Sequence, residues 1–214
     1  GLFGAFVASA QLGGLKDRPL YCLMCLAENA IDGAAFRNDD IITLYSGLTM
    51  EVNNTDAEGR IVLADGVAHV AKHLAEEVDL VVTMATLTGA QGIATGLVHG
   101  AVVCSDENIE SSVIKSGLHS GDMCHGLPFA PEILMHEFDS PVADLTNNVK
   151  DRANCQTSCA GLFIWKQLDH LGFKGEFCHV DMAFPARLSD PANKRTNGYG
   201  VGLMSSFLGV LPEN

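Results

Sequence analysis

The stretch IVLADGVAHVAKHLAEEVDLVVTM, residues 61–84, decides the fold class. Its first part repeats apolar side chains at helical spacing, which predicts a helix from Ile61 to about Glu77. Its last part, Val78–Met84, is an apolar run of strand length, the composition of a strand that helices cover on both faces. A helix that leads into such a strand indicates an α/β domain. The helical apolar positions are Ile61, Ala64, Val67, Ala68, Ala71 and Leu74.

Upstream of this stretch, the sequence predicts a helix, a strand and a hairpin. The opening residues GLFGAFVASA are apolar and predict a helix, and the apolar run Leu20–Leu26 predicts a buried strand. Two extended segments, Asp40–Tyr45 and Leu48–Val52, flank a Ser-Gly pair that commonly makes a tight turn. We therefore expect a β-hairpin over these two segments.

Downstream of it, strands and helices continue to alternate. Strands are predicted at residues 101–104 and 177–182. Helices are predicted at residues 109–118, 158–171 and 201–211, with Asp106 and Ser158 as the caps of the first two. This alternation implies an α/β fold in which residues 1–214 form a single three-layer αβα domain with a mostly parallel mixed sheet.

Composition restricts the kind of protein that this chain can be. With 13 Lys and Arg against 26 Asp and Glu, the formal charge is −13. The sequence contains no basic run that could neutralise the phosphates of a nucleic acid. The seven cysteines, scattered through apolar segments, fit a reducing compartment. No stretch reaches the roughly 18 apolar residues that span a bilayer. We therefore expect a soluble cytoplasmic protein that binds neither nucleic acid nor membrane.

The loop NNTDAEGR, residues 53–60, carries the most distinctive chemistry. If the chain is extended there, Asp56, Glu58 and Arg60 project to one side, because alternate residues of an extended chain share a face. Carboxylates so placed can hold divalent metal ions, and two ions about 3.5–4 Å apart can activate a shared water molecule. This interpretation predicts a two-metal hydrolytic site.

A structural interpretation competes with the metal site. Thr55 and Glu58 ahead of Ile61 match a capping box, in which both side chains bond to backbone N–H groups at the start of a helix. Capping gives no role to Asp56 together with Arg60. Both interpretations stay open on the residues alone.

Histidines elsewhere in the chain offer two further sites, each with a simpler interpretation. His69 and His73 are spaced i, i+4 and could bind zinc, but no Glu follows the first, so ordinary helix histidines are favoured. His179 and Asp181 share a face of the last strand and could form an acid–base pair. A packed, hydrogen-bonded histidine is the more frequent outcome there.

A family resemblance rests on several of these motifs. NTDAEGR at residues 54–60, followed by MATLTGA at residues 84–90, resembles the signature of the leucyl aminopeptidase family, two-metal exopeptidases that remove N-terminal residues. ATLTGAQGIATG, residues 85–96, resembles in particular the branch of probable or leucine aminopeptidase-like proteins. The resemblance extends further, to Glu28-Asn29, Gly121-Asp122, Leu127-Pro128, Val142-Ala143-Asp144 and His179-Val180-Asp181.

Site roles follow from the resemblance, position by position. It implies that Asp56 binds one metal ion, that Glu58 bridges both, and that Arg60 holds a bicarbonate ion as general base. It also implies a substrate cleft and a pocket for the first side chain, although Phe184 is not the commonest residue at its position. The residues implied to line them are Thr86, Leu87, Gly89, Ala183 and Ala186.

The resemblance further implies the cofactors, substrates and assembly. The expected cofactors are two divalent metal ions, zinc with manganese or magnesium as alternatives, with bicarbonate beside them. The expected substrates are peptides with a free N-terminus, and the expected assembly is a cytoplasmic homo-hexamer. In this family a lysine and two aspartates of the metal shell, with a second lysine, lie upstream of NTDAEGR in segments resembling FDSGG and K-x-D-x-G-G. GLFGAF aligns with the family's helix that follows those segments, which places the segments before Gly1.

The chain is therefore expected to be most of a C-terminal catalytic domain that carries part of the site. We favour a piece of a longer polypeptide, because all three motif side chains are present. The alternative is a catalytically silent homologue that serves as a structural subunit of an oligomer. An unrelated α/β binding module, in which NTDAEGR only caps a helix, is the third hypothesis.

Overall fold

The computed structural model describes residues 1–13, 15, 18–28, 30–187 and 197–211. The chain divides into two compact units. Unit 1 comprises Gly1–Leu23, Val82–Leu127 and Glu176–Asn214, and unit 2 comprises Met24–Val81 and Pro128–Gly175. Asn29, which contributes to the family resemblance, lies outside the described residues.

Strands and helices alternate through much of the described chain. The strands are β1 (Ile41–Thr43), β2 (Thr49–Glu51), β3 (Leu80–Ala85), β4 (Gly100–Cys104), β5 (Cys124–Gly126), β6 (Leu145–Thr146) and β7 (Glu176–Asp181). The α-helices are α1 (Leu2–Leu12), α2 (Gly59–His73), α3 (Ala90–Thr95), α4 (Glu107–Ser120), α5 (Pro131–Leu134), α6 (Gln156–His170) and α7 (Val201–Phe207). A 3-10 helix, Met135–Phe138, follows α5.

Unit 1 is built on a sheet with strand order β3-β7-β4-β5. Strand β4 runs parallel to β5 and antiparallel to β7, in a register that pairs Ala101 with Asp181 and Cys104 with Cys178. All five residues of β4 are buried, so β4 is a core strand. Helix α7 packs against α1 and α4. The predicted cap of α4 is confirmed, because the Asp106 carboxylate accepts hydrogen bonds from two N–H groups of the first turn, each at 2.9 Å.

Unit 2 is built on a three-stranded sheet with order β1-β2-β6. The predicted hairpin is confirmed, since β1 and β2 are antiparallel and Gly47 in the connecting turn has a φ of 104°, a conformation that favours glycine. Strand β6 adds to β2 in parallel. Helices α2 and α6 pack against each other. The core includes Met50, Val52, Phe138, Leu162 and Phe163.

The predicted α/β class with a mixed sheet is confirmed. Parallel pairs join β2 to β6 and β4 to β5, while antiparallel pairs join β1 to β2 and β4 to β7. The predicted helix at residues 61–77 and the strand at residues 78–84 are present with shifted ends, as α2 and β3. Among the described helices, none combines the length and the apolar composition that crossing a membrane requires.

Two predictions about elements are wrong. Residues 20–26 form no strand, and Leu26 is 78% exposed, because apolar composition alone does not supply the neighbouring strand that backbone hydrogen bonding requires. Ser158 does not cap α6. It lies buried inside that helix, and Cys155 occupies the cap position in a left-handed conformation with φ of 38°.

Candidate active site

The loop at residues 53–60 is turned rather than extended. The side-chain oxygen of Asn54 accepts a hydrogen bond from the N–H of Asp56 at 3.0 Å, which closes a local turn. Helix α2 then begins at Gly59, so Arg60 lies in its first turn. Arg60 is buried, while Asp56 and Glu58 are exposed. The prediction that the three side chains project to one side of an extended segment is therefore wrong.

The capping-box interpretation is also wrong. Such a box needs Thr55 at the cap position and Glu58 in the first turn of the helix. Instead, Glu58 itself occupies the cap position, with helical dihedral angles, and its side chain makes no capping hydrogen bond. Helix initiation therefore does not account for the exposed Glu58 carboxylate.

One fully buried residue, Asn147, holds this loop. Its side-chain oxygen accepts hydrogen bonds from the N–H groups of Asn53 at 3.0 Å and Asn54 at 3.2 Å. Its side-chain nitrogen donates to the carbonyl oxygens of Asn54 at 2.6 Å and Ala57 at 3.5 Å. The amide thus contacts the backbone at Asn53 and Asn54, shortly before Asp56, and at Ala57, between Asp56 and Glu58. This fixes the path of the chain that presents both carboxylates.

A reciprocal pair of hydrogen bonds reinforces this anchor. Asn53 donates from its side chain to the carbonyl oxygen of Asn148 at 3.2 Å and accepts from the N–H of Asn148 at 3.0 Å. Sequence reasoning missed these contacts, because Asn147 and Asn148 lie 93 to 95 residues from their partners Asn53 and Asn54. The one available signal was the adjacent pair of asparagines itself.

Arg60 lies near the thiol of Cys159 on α6. Burial raises the pKa of Cys159 to about 12, and the Arg60 charge opposes that rise. A thiol with so high a pKa stays protonated at neutral pH and is a poor nucleophile. Cys159, fully buried in the core of unit 2, is therefore a packing residue.

In unit 1, the predicted substrate loop Thr86–Gly89 is organised by Asp181 at the end of β7. The buried Asp181 carboxylate accepts hydrogen bonds from the N–H groups of Leu87 at 3.1 Å and Thr88 at 3.0 Å, and from the Thr88 hydroxyl at 2.6 Å. It also accepts from the N–H of Ala183 at 3.2 Å. Burial raises the pKa of Asp181, while the bonds from Thr88 and its neighbours oppose the rise. Asp181 therefore ties both predicted substrate segments to one strand end.

A second anchor, Gln91, holds the segment that contains Ala183 and Ala186. Its side-chain oxygen accepts from the N–H of Phe184 at 2.9 Å, and its side-chain nitrogen donates to the carbonyl of His99 at 2.7 Å. A Cβ at Gly92 would lie 2.5 Å from the Phe184 ring, so only glycine fits there. Ala183 and Ala186 are buried, and Thr86 and Gly89 are exposed. Neither Asp181 nor Gln91 was predicted as an anchor.

The histidines lie in two different settings. His179 is fully buried, and its Nδ1 lies 2.8 Å from the Thr83 hydroxyl. His69 and His73 are exposed on α2 with ring centroids 4.6 Å apart, and Nε2 of His73 lies 3.0 Å from the Tyr45 hydroxyl. Across the described ranges, no group of three or more His, Cys, Asp and Glu side chains is placed to hold one metal ion.

The donor set on the loop suits a hard or borderline cation but is incomplete. Asp56 and Glu58 offer carboxylate oxygens, which zinc, magnesium and manganese accept as ligands. A catalytic zinc site usually takes three protein ligands. The loop residues therefore fit part of a metal shell.

A family model and several known proteins match this chain over most of its length. Residues 2–205 match the model of the cytosol aminopeptidase family, catalytic domain. The chain is 47% identical to the probable aminopeptidase NPEPL1 of Mus musculus over 100% of the chain and 39% of that protein. It is 39% identical to leucine aminopeptidase 1 of Caenorhabditis elegans, over 98% of the chain and 41% of that protein.

Solved structures give the same result. The leucyl aminopeptidase of Trypanosoma cruzi superposes with a TM-score of 0.79 at 51% identity, covering 86% of this chain and 35% of that one. The Trypanosoma brucei enzyme in complex with bestatin superposes with a TM-score of 0.81 at 45% identity, covering 87% and 35%. The chain thus spans about two fifths of the curated relatives' length. The family match, these identities and the shared fold place the chain in the cytosol aminopeptidase family, within its catalytic domain.

Proposed function

We propose that this protein is a metal-dependent aminopeptidase that hydrolyses the N-terminal residue from peptides. The observation that carries the proposal is the exposed carboxylate pair of Asp56 and Glu58, on a loop that buried Asn147 fixes, in a catalytic domain of this family. Exposed acidic groups that do not cap a helix, held on a rigid backbone, are suited to binding a ligand.

Asp56 and Glu58 are the residues of this chain that would hold the metal ions. Asp56 would supply carboxylate oxygens to one ion, and Glu58 would supply them to both. Bound zinc, manganese or magnesium polarises a peptide carbonyl and lowers the pKa of water. Because two carboxylates are fewer ligands than such a site takes, the proposal includes further ligands from elsewhere in the complete protein.

Arg60 has the role of an anion holder in this proposal. Its guanidinium is always charged at neutral pH, and its burial strengthens attraction to an anion because the local dielectric is low. When bound beside Arg60, bicarbonate would supply a proton-accepting group. Arg60 would therefore orient the general base.

The unit 1 loops are proposed to bind the peptide. Thr86, Leu87 and Gly89 would line the cleft, and Ala183 and Ala186 would shape the pocket for the first side chain. Support comes from the rigid anchoring of both segments by Asp181. We also propose that residues 1–214 belong to one catalytic domain of a cytoplasmic homo-hexamer, as the family resemblance implies.

The decisive experiment removes the carboxylates one at a time in the full-length protein. Asp56→Asn and Glu58→Gln should each lower kcat/KM for an aminoacyl anilide at least 10²-fold, since even residues that only support metal ligands cost 10–100-fold when changed. Glu76→Gln, an exposed carboxylate beyond the end of α2, is the matched control and should leave turnover unchanged. Normal turnover in Asp56→Asn and Glu58→Gln would refute the site.

Inhibitor binding separates an active enzyme from a silent homologue. Bestatin occupies the Trypanosoma brucei relative. We expect bestatin to raise the Tm of the metal-loaded protein, and to do so less in Asp56→Asn. A protein without peptidase activity whose Tm does not respond to bestatin would favour the structural-subunit alternative.

A further inference from the structure

Two buried thiols face each other in unit 1, outside the residues assigned to the reaction. Cys104 ends β4 and Cys178 lies within β7, and the sheet register pairs them directly. Their Sγ atoms lie 2.8 Å apart, with the Cys104 thiol donating to Cys178. Strands β7 and β4 are the two inner strands of this sheet, so both thiols lie in its core.

The local hydrogen bonding gives this pair the spacing of a disulfide. The N–H of Ser105 donates to the carbonyl of Phe177 at 2.9 Å, and the N–H of Phe177 donates to the Ser105 hydroxyl oxygen at 2.8 Å, so Ser105 and Phe177 occupy a hydrogen-bonded position of the ladder. The adjacent antiparallel pair, Cys104 with Cys178, is then a non-hydrogen-bonded pair, in which Cα atoms are about 4.5 Å apart and side chains are closest. Disulfides span Cα separations of about 4.4–6.8 Å. The backbone therefore needs little movement to accept the bond.

We infer that Cys104 and Cys178 are a redox modification site that hydrogen peroxide converts to a disulfide and that thiols reduce again. Cys104 is 5% exposed and Cys178 is fully buried, so peroxide meets Cys104 first. The Cys104 sulfur attacks one peroxide oxygen, the O–O bond breaks, and a sulfenic acid and one water form.

Cys178 then completes the reaction. Its sulfur attacks the sulfenic sulfur of Cys104, the S–O bond breaks, and the hydroxide leaves with the thiol proton as a second water. Two thiols lose two electrons in total, and one peroxide becomes two waters. Peroxide, and not glutathione disulfide, is the oxidant named here, because a mixed disulfide would place a bulky group against two buried side chains.

The neighbouring residues determine which thiol can pair with Cys104 and how fast the oxidation is. Cys124 is also buried, but it pairs with Gly100 at the opposite end of β4 from Cys104. The hydrogen bond from Cys104 and burial raise the pKa of Cys178, and the nearby Cys124 and Glu110 raise it further. Because thiolates react and thiols do not, oxidation should be slow at neutral pH and faster as the pH rises.

The test uses the full-length protein and mass spectrometry. Folded protein is treated with hydrogen peroxide, remaining thiols are alkylated, and peptides are separated without reduction. We expect a crosslinked Cys104–Cys178 peptide that disappears on treatment with dithiothreitol and forms faster at pH 9 than at pH 7. Cys178→Ser should abolish the crosslink and leave Cys104 as the sulfenic or sulfinic acid. Cys159→Ser, which removes a buried thiol of unit 2, should leave the crosslink intact.

The exposed Cys155 serves as an internal reference for the peroxide dose. Recovery of Cys104 and Cys178 as separate alkylated peptides, at a dose that fully oxidises Cys155, would overturn the inference. A crosslink that joins either residue to Cys124 would overturn it as well. Neither outcome depends on peptidase activity, so this experiment tests the disulfide independently of the proposed function.

Discussion

The two candidate functional loops are anchored by opposite kinds of buried group. In unit 2 the neutral amide of Asn147 both donates to and accepts from the backbone around Asp56 and Glu58. In unit 1 the carboxylate of Asp181 only accepts, and its partners are N–H and O–H donors. An amide fixes a loop independently of pH. A carboxylate fixes its loop through a group that can titrate, so the two anchors should respond differently to mutation and to pH.

The largest effect is expected from removing the amide anchor. Asn147→Ala leaves the N–H groups of Asn53 and Asn54 and the carbonyl of Asn54 without their partner. Each buried unsatisfied group costs about 1–3 kcal/mol, so the free energy of unfolding should fall on the order of 3 kcal/mol. Metal affinity of the full-length protein should fall 10–100-fold, as for other groups that support metal ligands.

Asn148→Ala is the matched control for that variant. Asn148 meets Asn53 through its backbone, so truncating its side chain preserves both bonds. Chemical denaturation measures the free energy of unfolding of both variants, and a metal titration measures their metal affinity. Equal losses in the two variants would show that the Asn147 amide has no special role.

These anchors also show what the sequence could and could not predict. Helix α2 and strand β3 followed from periodicity, because each element's own side chains carry the pattern. The strand predicted at residues 20–26 failed because its existence depends on a neighbour. The motif NTDAEGR identified the carboxylates, but the turn that places Arg60 inside and Glu58 outside depends on Asn147, which is distant in sequence.

A smaller effect is expected from weakening the carboxylate anchor. Asp181→Asn keeps the shape of the side chain but turns one acceptor oxygen into an NH₂ group that faces N–H donors. The loss of accepted bonds should lower the free energy of unfolding by about 2 kcal/mol. It should raise KM more than it lowers kcat, because Thr88 belongs to the proposed substrate loop. Equal stability of Asp181→Asn and the wild type would remove the anchor role.

The same variant tests the pH contrast. Burial raises the pKa of Asp181 above its ordinary value of 3.8, so the folded state binds this proton more tightly than the unfolded state. The stabilisation from this group is therefore fully present below pH 3.8 and is lost as the pH rises through the folded pKa. The stability gap between wild type and Asp181→Asn should widen on acidification, whereas the gap for Asn147→Ala should stay constant. Denaturation curves at several pH values measure both gaps.

Crowding the Phe184 ring should lower the free energy of unfolding by as much as Asp181→Asn does, or by less. Gly92→Ala would place a Cβ 2.5 Å from the Phe184 ring, and overpacking of this kind costs about 1–3 kcal/mol. Phe184→Ala in the same chain removes the ring and should recover the cost of the clash. If Gly92→Ala is equally destabilising with and without the ring, the clash is not the cause.

The smallest effect is expected from changing Asn53, whose exposed hydrogen bonds reinforce the Asn147 anchor in unit 2. Asn53→Ala removes one donated and one accepted hydrogen bond to the backbone of Asn148, both in an exposed setting. Exposed groups regain water, so the loss should be about 1 kcal/mol, well below that of Asn147→Ala. Hydrogen exchange should report faster opening at Asn148 without a change at Asp56, whose N–H bonds to Asn54 within the loop. Faster exchange at Asp56 would mean that the carboxylate loop depends on the exposed Asn53 as much as on the buried Asn147. The proposed difference between these two asparagines would then be wrong.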